Sequence, residues 1–177
     1  MNKIIGRLLK RKRLESVLWF LVRFNLLAIP LYLAIYTNFS FPPLQVLIAQ
    51  ITSAFLKSLG YDVVQNNQNM ILGIGSNFYN IDVSWDSTGW KSLYALFALV
   101  IAVPNSNLKS KLSFLSLGLP AVFVLNLFRI VTTILTALNF GFQYFDLVHI
   151  FLWREGLIAV VVLLWYAWLR KEKHNIR

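Results

Sequence analysis

The chain has 177 residues, of which 58% are hydrophobic, with a mean hydropathy of +0.62, a net charge of +10 and no cysteine. So apolar a composition excludes an ordinary soluble domain, and the missing cysteines exclude disulfides, thiolate metal sites and a cysteine nucleophile. The positive charge is compatible with nucleic acid or with a membrane surface, and the placement of the charges decides between them.

Residues 1–16 carry Lys3, Arg7, Lys10, Arg11, Lys12 and Arg13, with Ile4, Ile5, Leu8 and Leu9 among them. This is the pattern of a basic amphipathic leader on an anionic inner leaflet. A first span is expected over 17–37. Its apolar run is too long for a secretory signal, and Pro30 and Tyr32 stand where a small-residue cleavage site would lie, so it reads as a retained helix. Arg23 sits low enough in it to snorkel inward. Residues 42–59 have helical periodicity but include Gln45, Gln50, Thr52, Ser53 and Lys57. That stretch is short for a span and is expected along the outer interface.

The segment 60–86 is polar, with β-prone runs separated by Asn66-Asn67 and by Gly73/Gly75, and predicts an extracytoplasmic hairpin or small sheet. Ile81, Val83 and Trp85 alternate with Asp82, Ser84 and Asp86 as on a strand with one apolar face. Three further spans follow over 89–104, 112–138 and 147–169, and 170–177 form a basic tail. The fold class expected is therefore an all-α integral membrane protein. It is a single polytopic domain of about four transmembrane helices, an outer interfacial helix and a small β segment.

Four spans put both termini and the 105–111 loop on one side, where twelve of the seventeen Lys and Arg residues lie. The 60–86 segment and the 139–146 loop carry Asp62, Asp82, Asp86 and Asp146 and no Lys or Arg. The asymmetry orients both termini to the cytoplasm in the cell membrane, and it accounts for the charge without nucleic acid.

At ~1.5 Å per helical residue, Ser87, Arg129 and His149 each lie ~27–32 Å from the inner ends of their spans, close to the outer boundary of a ~30 Å core. Each residue has a plainer reading. Asp86, Ser87 and Thr88 are ordinary residues for a helix start, and His149 suits an interface. Arg129 interrupts an apolar span, where a charge is costly. Asn126 lies one turn below it at a spacing that suits a hydrogen bond. Arg154 and Glu155, adjacent in sequence, need other partners. A nucleophile position, an imidazole and a fixed cation form a working set for acyl transfer. No metal or other cofactor is expected. A small transporter using Arg129 and His149 fits less well, because the polar groups gather at one face.

At Ser87-Thr88-Gly89-Trp90-Lys91-Ser92, Asn126-Leu127-Phe128-Arg129 and His149 with Gly156, the chain resembles the exosortase/archaeosortase family, more closely its archaeal branch. The likeness covers roughly residues 83–156 and, loosely, the whole chain. It implies a membrane protease of transpeptidase type that cuts at the outer face. The partners implied are exported proteins ending in a short motif, a hydrophobic helix and a basic tail, with a membrane lipid as a possible acceptor. Ser87 takes the nucleophile's place, Arg129 would stabilise the oxyanion or orient substrate, and His149 would be the acid/base. Asp86, Thr88 and Asn126 would line the substrate site. The family's cysteine is here Ser87, and an alcohol is far less ionised than a thiol. The chain as written is therefore expected to be an inactive Cys-to-Ser form. A substituted cysteine, a natural serine variant and a degenerate member all remain open. The alternative function is a non-catalytic scaffold or substrate-binding relative in surface-protein or polysaccharide export.

Overall fold

The computed structural model describes residues 2–74, 77–141 and 155–175. The leader and first span, expected as separate elements, form one helix, α1 (Asn2–Tyr36), because no breaker stands between them. Helix α2 (Pro42–Ser58) starts on two prolines, which fix φ where an N–H would have no helical partner. Three antiparallel strands follow, β1 (Asp62–Asn66), β2 (Asn69–Ile74) and β3 (Asn77–Asp82), in the order β1-β2-β3. The first hairpin turns at Asn67, whose φ of 53° lies in the left-handed region that Asn tolerates. Strand β3 is shorter than the alternation implied. Val83 and Ser84 lead instead into a 3-10 turn, Trp85–Thr88, before α3 (Trp90–Ala102). Helices α4 (Leu108–Phe140) and α5 (Glu155–Asn175) complete the described elements.

The chain is thus mostly helical with one small sheet. Among the described residues, Leu14–Tyr36 and Leu108–Phe140 are long and apolar enough to cross a membrane, and Trp90–Ala102 is a shorter apolar helix.

Two apolar cores divide the molecule. In one, Ile48, Ala49 and Leu56 of α2 and Val63, Met70, Leu72 and Val83 of the sheet region meet Ile130 and Ile134 of α4. In the other, Leu96 and Val100 of α3 meet Leu115 and Val122 of α4 and Leu157, Val161 and Trp168 of α5. The outer face of α1 remains exposed while the helix packs on α3, where the Tyr94 hydroxyl donates to the Leu27 carbonyl at 2.7 Å.

Helix α4 runs through both cores, and two polar contacts tie it to α3 and to the turn that precedes α3. Near its start the buried Lys111 ammonium donates to the carbonyls of Ile101 (2.9 Å) and Val103 (2.6 Å) at the C-terminal end of α3. A cation there meets the unpaired carbonyls and the negative end of the helix dipole. Fifteen residues on, Asn126 Nδ2 donates to the Ser87 carbonyl at 3.0 Å. Between these contacts a Cβ on Gly118 would lie 3.2 Å from Leu96 Cδ2, so the two helices approach closely.

Candidate active site

The seam between the two cores falls where the strand-to-helix turn meets α4. Gln45 of α2, buried at 6% exposure, donates Nε2 to the Val83 carbonyl at 2.9 Å. Asn126 of α4, 1% exposed, holds the Ser87 carbonyl. The turn carrying Ser87 is therefore gripped by side chains of two helices.

Gly89 explains its own identity. Its φ is +75°, and a Cβ there would lie 2.7 Å from the Asn126 side chain. A side chain at this position would be both strained and sterically blocked. Gly89, with no side chain to cap with, is also the N-cap of α3. Asp86, Ser87 and Thr88 thus do not cap that helix, contrary to the plainer reading of the sequence. Ser84 caps the preceding 3-10 turn instead, its Oγ accepting from Ser87 N–H at 3.3 Å. Thr88 is fully buried and donates Oγ1 to the Trp85 carbonyl at 2.7 Å.

Ser87 and Arg129 line one cavity of about 40 Å³, together with Asp82, Ile81, Val83 and Thr133. That space admits a few water-sized groups. Arg129 is 8% exposed, and its Nε–H has no partner among the described residues. The hydrogen bond that spacing suggested between Asn126 and Arg129 is not formed. Asn126 turns instead towards Ser87 and Gly89, leaving its Oδ1 unpaired as well. An orphaned buried guanidinium donor beside a small, largely apolar cavity is suited to receiving an oxyanion or a carbonyl oxygen.

Asp86 lies outside this cavity, in an exposed ion pair with Lys91 at 2.8 Å. It lines a separate depression of about 330 Å³ with Asn38, Phe39, Ser40, Ser84 and Trp90. Of the three residues expected to contact substrate, Thr88 and Asn126 support the turn from within, and Asp86 lines this neighbouring depression. His149 and Arg154 lie outside the described residues.

Sequence reasoning missed Ser84, whose Oγ lies 2.8 Å from Ser87 Oγ, as well as Asp82 and Gln45. Asp82 and Ser84 were visible as the polar face of the Ile81, Val83, Trp85 alternation. Gln45 had only its polarity within an apolar periodicity to mark it.

No curated protein and no solved structure matches the chain. A family model described as transmembrane exosortase matches residues 7–169, nearly the full length and all of the site described above. The chain is a membrane protein that belongs to the transmembrane exosortase family.

Proposed function

We propose that this chain has the architecture of a membrane sorting protease of transpeptidase type, with position 87 as its nucleophile position. Family membership supports the enzyme class. The observation that carries the site assignment is the shared cavity of Ser87 and Arg129, two residues from different elements. Its substrates would be exported proteins ending in a motif, a hydrophobic helix and a basic tail. Both termini of the enzyme would be cytoplasmic and the cavity would face outside.

In the catalytic cycle the side chain at position 87 attacks the scissile carbonyl, and the Arg129 guanidinium receives the developing oxyanion. His149 takes the nucleophile's proton and returns it to the leaving amine. The acyl-enzyme then passes its acyl group to a lipid or another acceptor nucleophile, which restores the side chain. With serine at position 87 this chain is the inactive form. Its hydroxyl needs a well-aligned base, and its hydrogen-bond partner among the described residues is another hydroxyl, on Ser84. That same contact favours the second reading, a relative that binds sorting signals without cutting them.

Ser87→Cys is expected to restore cleavage of a matching C-terminal signal, followed by gel shift and mass spectrometry. In that background Arg129→Ala is expected to lower the rate about 10²–10³-fold and His149→Ala about 10²–10⁴-fold. If the thiol form leaves its cognate signal uncut yet crosslinks to it through position 87, the binding reading holds instead.

A further inference from the structure

Ser84 carries more contact with position 87 than a cap needs. The Ser87 N–H is already bonded to the Ser84 carbonyl at 3.0 Å, and its approach to Ser84 Oγ, at 3.3 Å, is the longer and weaker of the two. The short contact is between hydroxyls, Ser84 Oγ to Ser87 Oγ at 2.8 Å. Two hydroxyls at that distance share one proton between two acceptors, and either can donate. Once position 87 ionises it can only accept, so Ser84 must be the donor. A hydrogen bond to the charged form favours that form. The geometry also divides the labour around position 87. Arg129 lines the cavity where the substrate oxygen would sit, whereas Ser84 lines the neighbouring depression.

We infer that Ser84 is a positioning residue for the nucleophile: its hydroxyl fixes the side chain at position 87 and stabilises its anion by donating a hydrogen bond. This rests on the reading of position 87 as the nucleophile position, but its test needs no peptide substrate. The chain contains no cysteine, so Ser87→Cys introduces a single thiol. Iodoacetamide reports its ionisation: the thiolate displaces iodide, an S–C bond forms and the thiol proton passes to buffer. Among the described residues, the charged groups that line the cavity with position 87 are Asp82 from β3 and Arg129 from α4, and in the proposed cycle the His149 imidazole faces it as well. Asp86 and Lys91 are paired at the flank of the turn, and α2 contributes the neutral Gln45. All are common to the variants compared.

The rate of alkylation against pH, measured on the full chain in detergent, is expected to show a midpoint about one pH unit higher when Ser84→Ala is added to Ser87→Cys. Ser84→Thr should return it. Ser84→Gly, compatible with the extended backbone of φ −62° and ψ 157°, provides a second hydroxyl-free variant should the alanine form not purify. An unchanged midpoint in the hydroxyl-free variants overturns the inference. So does a faster plateau rate with no shift in midpoint, because that is what a loosened turn produces. A shifted midpoint in a thiol form that cuts no signal peptide leaves the Ser84 assignment standing and removes the protease reading.

Discussion

At position 89 the backbone and the packing impose the same residue. A non-glycine residue in the left-handed region costs roughly 1–2 kcal/mol, and the 2.7 Å approach of Asn126 adds an overpacking cost. Gly89→Ala is therefore expected to destabilise the chain by roughly 2 kcal/mol or more, read as a lowered unfolding midpoint in detergent. Asn126→Ala removes the steric part, so the double variant should be less destabilised than the sum of the two singles. Simple additivity would mean that Asn126 and Gly89 do not press on one another. The Ser-Thr-Gly string was legible in the sequence as a turn entering a helix, but its reasons were not. Glycine is required by an asparagine thirty-seven residues away, and no local pattern reports that contact. The Asn126–Arg129 pairing failed for the same reason: helical spacing shows that two side chains can meet, whereas the tertiary neighbour decides whether they do.

At the scale of elements, the helical hairpin of α3 and α4 sets the site. Helix α3 has 13 residues and spans ~20 Å, and Lys111 and Asn126 lie fifteen residues, or ~22 Å, apart on α4. The matching lengths bring the N-terminal end of α3 level with Asn126, one helical turn before Arg129. The inner contact can be tested directly. Lys111→Met leaves the Ile101 and Val103 carbonyls without their ammonium donor, which should cost about 1–3 kcal/mol. A lowered midpoint on titration with denaturing detergent, partly recovered in Lys111→Arg, is the expected result. An unshifted midpoint would show that those carbonyls find other partners. Helix existence was legible throughout, because apolar periodicity is a strong signal. Ends were less so: α4 runs four residues earlier and two later than expected, and α1 absorbs its leader. Charged and polar residues do not end a helix unless they also change the backbone.

For the whole molecule, the charge asymmetry that argued for a membrane protein also makes an orientation testable. The chain lacks cysteine, so single thiols can be placed at will. Ser40→Cys, in the exposed turn after α1, should react with an impermeant maleimide on intact cells. Lys109→Cys, exposed at the start of α4, should react only after permeabilisation. The opposite pattern would reverse the proposed orientation. The division of the fold into two cores was not legible in the sequence, since α4 reads as one uniform apolar span. Only packing shows that its C-terminal third faces the sheet and its N-terminal two-thirds face α3 and α5. Asn126 and Arg129 interrupt the apolar span near the change from one set of neighbours to the other, where a polar side chain finds a backbone carbonyl and a cavity rather than lipid.

Gripped at both ends by α4, helix α3 works as a ruler whose graduations are residues. One residue inserted between Ile101 and Gly89 would push the turn on by ~1.5 Å and swing it through about 100°, carrying Ser87 away from the cavity it shares with Arg129. The Asn105–Asn107 loop lies outside the measured length and can lengthen without moving the zero mark. Drift in this hairpin is thus freer in letters than in number: side chains of α3 outside the core can be exchanged, while its count of residues is held.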